Sequence, residues 1–466
     1  MNSSCLLSRR QAMQSFAGGL LATRGALAAA ARPNVVVIVS DDHGYADVSC
    51  YDHPKEISTP NIDRIARRGV RFTQGYASAY VCAPTRAGLM TGRYQQRFGF
   101  YTASDSRAGM PLTESTIADI LKQEGYATGA FGKWHLGLEM PYHPVNRGFD
   151  EFYGFLGHGG HDYFNLMPTP DKYDSIWRND KVIEETGYLT DNLGREAVSF
   201  IRRNEQRPFF LYLAFNAVHF PLQAPEETIR KYDTGNPKRD IYLAMVEHED
   251  IAVGRVLDEL EKRGLDKNTL VIFFSDNGGA RNNASSNGAL RDYKQSVYEG
   301  GIRVPFMVSW PGRVPENEVS DEPVIYMDVL PTVAAATGAR LPAGKEYHGK
   351  NLLPVVTGKP EKPLHEWLFW DGDEKKRAVR NGRWKLVDNA GRVELFDLEA
   401  DLSEKNDLAA RNPEVVRRMQ AALEDWSKQN APRIRQPGGP DASSGDTPPG
   451  RRSRSRLERN TEQTPQ

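Results

Sequence analysis

The chain has 466 residues, of which 39% are hydrophobic and 26% are charged, and this composition excludes disorder or a fibrous repeat for most of its length. The length suits one large domain or two unequal ones. Sixty basic and sixty-one acidic residues give a formal net charge of -1, so no broad positive charge attracts nucleic acid or an anionic membrane surface.

The N-terminal segment has the pattern of an export signal. Paired arginines follow Ser8, a weakly apolar stretch comes next, and a run of alanines ends the segment. The arginine pair resembles the twin-arginine type of signal. A membrane span needs about 20 apolar residues, and Arg24 interrupts a stretch that is shorter than this. We therefore predict that residues 1–31 form a cleaved export signal, which removes Cys5, and that the mature protein is periplasmic or secreted in a bacterium.

Four apolar runs in the body lead directly into polar residues. These runs span residues 34–40, 126–131, 208–215 and 270–275, and amphipathic stretches between them span residues 115–124, 189–204 and 241–263. Continuous apolar runs are typical of strands buried on both faces. Strands that alternate with helices predict an α/β fold with a large, mostly parallel sheet flanked by helices. In such sheets, ligands bind at the carboxyl ends of the strands. The polar residues that follow the four apolar runs all lie at such strand ends.

The pattern changes after about residue 364. Short β-rich segments at 367–370, 378–380, 384–387 and 394–396 are divided by the hairpin signals Asn381-Gly382 and Asn389-Ala390-Gly391, and one helix follows at 413–428. We predict a catalytic domain at 32–364 and a smaller C-terminal α+β subdomain with an antiparallel sheet at 365–431. Residues 432–466 are rich in Pro, Gly, Ser and Arg and predict a disordered tail. A solvated tail is favoured over one that touches nucleic acid or anionic glycans.

Two pairs of oxygen-bearing side chains follow the first and the last of the apolar runs. Asp41 and Asp42 follow the first run, and Asp276 and Asn277 follow the last. Hard oxygen ligands of this kind suit Ca²⁺ or Mg²⁺. One such pair alone is more often a turn or a helix cap, so two pairs support a metal site and a structural role about equally.

Cys82 lies just before a predicted helix. Pro84 suits the first turn of that helix, and a helix N-terminus stabilises an anion. A buried free cysteine, or a disulfide to Cys50 in an exported protein, is the simpler interpretation from composition alone. Three cysteines in a chain of this length exclude a disulfide framework.

The segment Cys82-Ala83-Pro84-Thr85-Arg86 resembles the Cys-x-Pro-x-Arg motif of the type I sulfatases, the arylsulfatase family of the alkaline phosphatase superfamily. In that family the cysteine is oxidised after synthesis to formylglycine, an aldehyde that hydrates to a geminal diol, so a formylglycine-generating or sulfatase-maturating enzyme is an implied partner. The resemblance covers nearly the whole body, in order through Asp41-Asp42, Thr59-Pro60-Asn61-Ile62-Asp63, Thr91-Gly92-Arg93, Gly132-Lys133-Trp134-His135-Leu136-Gly137, His219, Asp276-Asn277-Gly278, Lys294, Glu299-Gly300-Gly301-Ile302-Arg303-Val304-Pro305, Arg383-Trp384-Lys385-Leu386 and Glu394-Leu395-Phe396-Asp397-Leu398.

The resemblance implies an alkaline phosphatase-like fold, a divalent metal and a formylglycine nucleophile. Ca²⁺ is the expected ion and Mg²⁺ the alternative. The implied metal ligands are Asp41, Asp42, Asp276, Asn277 and the residue at position 82. The implied catalytic residues are Cys82, Arg86, Lys133, His135, His219 and Lys294. Among these, Lys133, Lys294 and His219 match sulfate-binding positions. Either His219 or Lys294 protonates the leaving alcohol, His135 accepts a proton from the hydrated formylglycine, and Arg86 orients position 82.

Residues 157–163 depart from the pattern of some family members. Gly160 stands where those members carry a serine before a His-Asp pair. His161 and Asp162 remain candidate contacts to sulfate and to substrate hydroxyls, and a turn-capping role for Asp162 is about equally supported. Lys294 is followed by Gln295, where a glycine is common in the family.

The predicted function is removal of sulfate from an organic sulfate ester, with a sulfated carbohydrate as the expected substrate. One alternative is a formylglycine-dependent phosphonate monoester or phosphodiester hydrolase. The other is a non-catalytic binder of sulfated glycans in which Cys82 stays unmodified. None of these functions involves nucleic acid or a membrane span.

Overall fold

A computed structural model gives the structure of the protein and describes residues 32–51, 56–157, 160–170, 172–358, 363–372 and 375–434. The predicted export signal lies outside the described residues, as does the predicted tail beyond its first three residues. Among the described residues, no helix combines the length and the apolar character that a membrane crossing requires.

The structure contains strands and helices that follow the predicted alternation. The strands are β1 (Asn34–Ser40), β2 (Gly69–Tyr76), β3 (Ala127–Lys133), β4 (Glu151–Phe155), β5 (Ile176–Arg178), β6 (Lys181–Ile183), β7 (Phe209–Ala214), β8 (Thr269–Ser275), β9 (Arg303–Ser309), β10 (Glu318–Ser320), β11 (Val324–Ile325), β12 (Trp367–Asp371), β13 (Lys376–Asn381), β14 (Trp384–Asn389) and β15 (Arg392–Asp397). The α-helices are α1 (Pro60–Arg67), α2 (Cys82–Thr91), α3 (Ile117–Gln123), α4 (Leu189–Asn204), α5 (Glu226–Ile229), α6 (Pro237–Lys262), α7 (Glu299–Ile302), α8 (Val329–Thr337), α9 (Leu353–Val356) and α10 (Pro413–Ser427).

The strands of the main domain form one large mixed sheet. Its order is β10-β2-β9-β8-β1-β7-β3-β4-β5-β6, and β11 also pairs with β2. The central strands β8, β1, β7, β3 and β4 are parallel to their neighbours in this group, whereas β9 is antiparallel to both β8 and β2. The parallel centre confirms the predicted α/β class, and the antiparallel flanks make the sheet mixed.

The central strands are buried on both faces, as their continuous apolar runs predict. Alternate residues of β1 enter two separate cores: Val37 packs with α2 and α3 residues on one face, and Ile38 packs with α1, α4 and α6 residues on the other. Each fully buried aliphatic side chain of this kind contributes about 1.5–3 kcal/mol. Helices on both faces therefore hold the central strands rigidly in place.

The register of the central strands aligns their carboxyl ends. Ser40, the last residue of β1, pairs with Ser275, the last residue of β8. On the other side Val39 pairs with Ala214 of β7, and Ala214 pairs with Gly132 of β3. The residues that follow these four strand ends consequently meet at one edge of the sheet.

The C-terminal subdomain contains the predicted antiparallel sheet, in the order β12-β13-β14-β15, with α10 packed against it. A buried charge network joins it to the main domain. Lys385 Nζ lies 2.8 Å from Glu299 Oε1 and 2.9 Å from Glu404 Oε1, and all three side chains are buried. Trp370 adds a hydrogen bond from Nε1 to the carbonyl of Ala77 at 2.7 Å. The small sheet thereby supports the start of α7, where Glu299 lies.

The first residues of the predicted tail contact the main domain. The backbone N–H of Ile434 donates to the carbonyl of Gly99 at 2.8 Å, and Arg433 forms an ion pair of 2.7 Å with Asp105. The ordered chain thus continues at least to residue 434, three residues beyond the predicted boundary.

Candidate active site

The loop after β1 carries two aspartates in a fixed backbone conformation. The Asp41 N–H donates to the carbonyl of Ala217, and the Asp41 carbonyl accepts from Val218 N–H, both at 2.9 Å. Asp42 has a φ of 62°, a left-handed conformation that aspartate tolerates better than most residues. This turn directs both carboxylates into the edge of the sheet, where they are buried.

The loop after β8 lies against the end of β1 and the loop that follows it. Asp276 N–H donates to the Ser40 carbonyl at 3.0 Å, and Asp276 Oδ1 accepts from Asp42 N–H at 3.3 Å. A Cβ on Gly278 would lie 1.8 Å from the carbonyl oxygen of Gly300, so only glycine allows this approach. The close contact explains the glycine at position 278, whereas Gly300 is restricted by a different neighbour, the carbonyl oxygen of Asp292.

Cys82 is the first residue of α2, and all ten residues of this helix are buried. Val81 is the N-cap and has no side chain that accepts a hydrogen bond, so the N–H groups of the first turn face the site. Pro84 lies in that turn, where no intrahelical donor is lost. Arg86, one turn further, lies on the same face of the helix as Cys82.

Two buried cations neutralise Asp41 and Asp276. Lys133 Nζ, at the end of β3, lies 2.5 Å from Asp41 Oδ2. Arg86 donates to Asp276 Oδ2 from Nε at 3.0 Å and from Nη2 at 2.8 Å, and its Nη1 donates to the Lys133 carbonyl at 3.1 Å. Arg86 therefore links the helix of Cys82 to both the β8 loop and the β3 loop.

Two further basic side chains face Asp42. Lys294 Nζ lies 2.7 Å from Asp42 Oδ1 and 2.9 Å from Oδ2, and its backbone N–H donates to the Gly279 carbonyl at 3.0 Å. His219 Nε2 lies 3.5 Å from Asp42 Oδ2, while His219 Nδ1 donates to the carbonyl of Phe220 at 2.6 Å. The Nδ1 hydrogen bond fixes the ring so that Nε2 points to the cluster.

The pKa values of these groups reflect burial opposed by close charges. Burial would raise the pKa of Asp41, but the charges of Lys133, His219 and Arg86 together outweigh burial and lower the pKa. The pKa of Asp42 is lowered in the same way, against burial, by Lys294 and His219. Burial and the charge of Asp41 raise the pKa of Asp276, and burial raises the pKa of the Cys82 thiol.

Two buried oxygens at this edge lack any hydrogen-bond donor among the described residues. They are Asp41 Oδ1 and Asn277 Oδ1. Asn277 Nδ2 donates to Asp42 Oδ1 at 2.7 Å and to the Gly278 carbonyl at 3.0 Å, so its amide is oriented with the oxygen free. An unsatisfied buried oxygen costs about 1–3 kcal/mol, and a bound cation would remove that cost.

The donor atoms of one group lie within 4.8 Å of one another, a spacing that suits a metal ion. The group consists of Asp41, Asp42, Cys82 and His219. The sequence predicted that His219 binds sulfate, and not that it is a metal ligand. Asp276 lies beside the group, because its Oδ1 accepts a hydrogen bond from Asp42 N–H. The predicted residues described so far therefore converge.

The remaining predicted site residues are His135, His161 and Asp162. His135 follows Lys133 by two residues, is buried, and has a left-handed φ of 59°. His161 is buried against Phe155, with a ring separation of 4.6 Å, and its Nδ1 donates to the Asp162 carbonyl at 2.5 Å.

Asp162 has the hydrogen bonds of a turn-capping residue. Its Oδ1 accepts from the backbone N–H groups of Phe164 and Asn165, at 2.8 and 2.7 Å, and its Oδ2 accepts from Gln223 Nε2 at 3.0 Å. These contacts match the structural interpretation of Asp162, and a role in substrate binding stays a prediction.

Sequence reasoning assigned no role to a buried histidine and glutamate beneath the aspartates. His43 Nδ1 lies 3.1 Å from Glu249 Oε2, and Ser40 Oγ donates to the same oxygen at 3.0 Å. His43 Nε2 donates to the Asp47 carbonyl at 2.9 Å. Burial would lower the pKa of His43, but Glu249 raises it. The network holds the turn of Asp41 and Asp42 from below, and a glutamate on the buried side of α6 was the one sequence signal for it.

Comparison with known families gives two matches that together cover most of the chain. The family model described as Sulfatase matches residues 33–339. The model described as N-sulphoglucosamine sulphohydrolase, C-terminal, matches residues 291–429.

Individual proteins similar to this chain are also named as sulfatases. The chain is 36% identical to arylsulfatase A of Homo sapiens over 78% of this chain and 76% of that protein, and 35% identical to the N-acetylgalactosamine-6-sulfatase of Canis lupus familiaris over 78% and 72%. Among solved structures, that of Ps i-CgsB in complex with k-i-k-neocarrahexaose is similar with a TM-score of 0.81 and 37% identity, over 87% of this chain and 94% of that one.

Proposed function

The chain belongs to the sulfatase family and is a sulfuric ester hydrolase, and we propose that it removes sulfate from a sulfated carbohydrate with residue 82, oxidised to formylglycine, as its nucleophile. The main support for the proposal is that three kinds of group lie close together at one edge of the sheet. They are Cys82, two buried oxygens without a hydrogen-bond donor among the described residues, and four basic side chains. A carbohydrate is supported by the names of two relatives, an N-acetylgalactosamine-6-sulfatase and a protein solved with k-i-k-neocarrahexaose.

A divalent cation, Ca²⁺ by preference, would be held by Asp41, Asp42, Asp276, Asn277 and residue 82. The free oxygens of Asp41 and Asn277 fit a hard cation, since no described donor satisfies them. When bound, the cation would lower the pKa of the hydroxyl that attacks sulfur and polarise a sulfate oxygen.

The charge balance of the site favours an anionic substrate. Three carboxylates, Asp41, Asp42 and Asp276, face three permanent cations, Lys133, Arg86 and Lys294. These charges cancel, so a divalent cation would leave a local surplus of two positive charges. A sulfate ester would then be bound by a positive site inside a mildly acidic protein. Lys133 and Lys294, fixed by their aspartates, donate hydrogen bonds to the sulfuryl oxygens as charge spreads over them.

His219 is the group we assign to protonate the leaving alcohol. Lys294 Nζ contacts both oxygens of Asp42 within 3 Å, whereas His219 Nε2 makes one longer contact of 3.5 Å and is partly exposed. The histidine is therefore less committed to Asp42 and better placed to transfer a proton. His135, which lies in the segment after β3, accepts the proton from residue 82 in the second half of the reaction.

Replacing His219 with alanine should affect poor leaving groups far more than good ones. We expect hydrolysis of a sugar sulfate to fall about 10²-fold to 10³-fold, because an alkoxide needs protonation as it leaves. Hydrolysis of 4-nitrophenyl sulfate should fall by about tenfold or less, since nitrophenolate leaves unprotonated. The measurement is kcat/KM for both substrates in the variant and in Lys294→Ala. If only Lys294→Ala slows the sugar sulfate far more than the nitrophenyl sulfate, the general acid is Lys294.

A metal ion should stabilise the fold even without substrate. A ligand that binds only the folded state at about 100 times its Kd adds about 2.7 kcal/mol, so Ca²⁺ should raise the Tm of chelator-treated protein. The Tm is measured by calorimetry against Ca²⁺ and Mg²⁺ concentration. Asn277→Ala should lose the increase, while Asn317→Ala, at an exposed position in a loop, should keep it. An equal increase in both variants would place the ion elsewhere.

The reaction itself is tested with two matched substrates, an aryl sulfate and the corresponding aryl phosphodiester. The sulfatase proposal expects a higher kcat/KM for the sulfate. A much higher value for the phosphodiester would favour the phosphodiesterase alternative. No turnover of either substrate by protein that carries formylglycine would favour the glycan-binding alternative.

Export, maturation and domain limits complete the proposal. We propose that residues 1–31 direct export to the periplasm or the medium, that a formylglycine-generating or sulfatase-maturating enzyme acts on Cys82, and that the catalytic and C-terminal parts meet near residue 364. N-terminal sequencing of the protein recovered from the periplasm tests the cleavage site.

A further inference from the structure

A cavity of about 760 Å³ lies beside His135, outside the cluster of aspartates and cations. A volume of this size accommodates a small ligand. Its lining includes the polar residues Ser104, Arg107, Glu139, Tyr173 and Asp174. His135 follows Lys133 by two residues, and Lys133 contacts Asp41, so this cavity adjoins the site where sulfate is cleaved.

The cavity contains two charges of opposite sign that do not pair with each other. Arg107 ends a short 3-10 turn (Ala103–Arg107), is exposed, and forms no hydrogen bond or ion pair with any of the described residues. The carboxylate of Asp174 likewise forms none within the described part of the chain. Glu139 differs, because its Oε1 accepts from Tyr173 OH at 2.8 Å.

These uncommitted charges define the chemistry of a ligand. An arginine fork binds a sulfate or carboxylate through charge-assisted hydrogen bonds. A carboxylate that lacks donors accepts hydrogen bonds from hydroxyl groups. A purely anionic ligand would leave Asp174 unmatched, and a neutral or cationic ligand would leave Arg107 unmatched. A sugar that carries both free hydroxyls and an anionic substituent matches both.

We propose that this cavity binds the alcohol half of the substrate, and that this half is a sugar ring bearing a second anionic group. Arg107 contacts that second group, Asp174 accepts from ring hydroxyls, and the ring of Tyr173 lies against the sugar. The inference rests on the proposed function, because it assumes that the sulfate being cleaved lies at the aspartate cluster. It adds a substrate class, sugars with at least two anionic substituents.

The test measures binding by calorimetry, which does not depend on turnover. The probes are matched monosulfated and disulfated forms of galactose, N-acetylgalactosamine and N-acetylglucosamine. The protein is the mature chain carrying Cys82→Ala, because the active enzyme would hydrolyse the probes. For at least one sugar we expect the disulfated form to bind about tenfold or more tightly than the monosulfated form. Arg107→Ala should remove this preference and change binding of the monosulfated form by less than about twofold. Asp174→Asn should weaken both forms equally.

The controls separate a binding role from loss of charge or structure. Arg340→Ala removes another exposed arginine that forms no ion pair among the described residues and does not line the cavity, and it should keep the preference. The Tm of Arg107→Ala should equal that of the unchanged protein, since Arg107 has no described partner. Equal binding of both forms, an unchanged preference in Arg107→Ala, or no binding of any sugar would overturn the inference. If the protein that carries formylglycine prefers the disulfated sugar but does not hydrolyse an aryl sulfate, the proposed function is refuted and the inference about the cavity is not.

Discussion

Replacing Cys82 with alanine is expected to abolish sulfate release, with kcat reduced by about 10⁴-fold or more, because removal of a catalytic nucleophile has effects of this size. The fold should remain intact. The thiol is a small buried group at the start of α2, and loss of its sulfur leaves at most a small cavity. The measurements are release of sulfate from an aryl sulfate and the Tm of the variant.

Cys50→Ala is the matched control for this prediction. Cys50 is the other cysteine of the described chain, and its thiol is half-buried and unpaired. Burial, and then Asp63, raise its pKa, so it stays protonated and unreactive. The control variant should therefore keep full activity. Activity in Cys82→Ala equal to that in Cys50→Ala would refute the formylglycine mechanism.

A mass spectrum of the peptide that contains residue 82 tests the modification directly. The oxidation replaces a CH₂–SH group with an aldehyde, and the peptide loses mass accordingly. We expect formylglycine in protein produced together with a maturation enzyme, and intact thiol in protein produced without one. Full sulfatase activity in the thiol form would contradict the proposal.

The centre of the fold was predictable because it depends on local sequence. The runs at 34–40, 208–215 and 270–275 are apolar except at their ends, and such runs form buried strands with little dependence on context. Strands β2 and β9 were not predicted. Gly69 and Gly75 in β2, and Pro305 in β9, obscure the pattern, and an antiparallel pairing between distant segments is not visible in a single sequence.

The sequence predicted that the candidate-site residues would lie together at the strand ends, but it did not predict their contact partners. Strand ends and the family motifs pointed to Cys82, Asp41 and Asp276. The sequence contains no signal that Arg86 contacts Asp276, 190 positions away, or that Lys294 contacts Asp42. Such pairs depend on the register of the sheet and on loop approach. The His43 and Glu249 network and the Glu299 and Lys385 pair were missed for the same reason.

The cavity beside His135 is the least predictable part of the described structure from sequence. Arg107 and Asp174 occur in loops with no motif and no periodicity, and each residue alone looks like an ordinary solvated charge. Only the folded structure places them in one cavity next to His135. If the proposed role of this cavity is correct, substrate specificity depends on residues outside the regular helices and strands, which a sequence motif does not reveal.

Replacing Arg86 with alanine should cost both stability and activity. The guanidinium is fully buried, and two of its nitrogens donate to Asp276 Oδ2. Removing one partner of a buried pair leaves an uncompensated charge and costs about 3–5 kcal/mol. Burial and the charge of Asp41 already raise the pKa of Asp276, and the loss of Arg86 would raise it further. We expect a large fall in the Tm, measured by calorimetry, and at least about a 10²-fold loss of kcat/KM.

Burial, and not the arginine–carboxylate bond itself, should decide the size of this effect. Arg202 offers the matched control, because it donates to the two oxygens of Glu259 at 2.9 Å each while about half of its side chain is exposed. Water reaches Arg202, and Arg263 Nε also donates to the buried Glu259 carboxylate at 2.8 Å, so Arg202→Ala leaves Glu259 paired and should change the Tm little. Arg86→Lys keeps the charge but not the four hydrogen bonds of the guanidinium, and should recover part of the stability without restoring the position of Cys82. If Arg86→Ala and Arg202→Ala melt at the same temperature, Arg86 does not hold the two loops together, and the nucleophile is positioned by α2 alone.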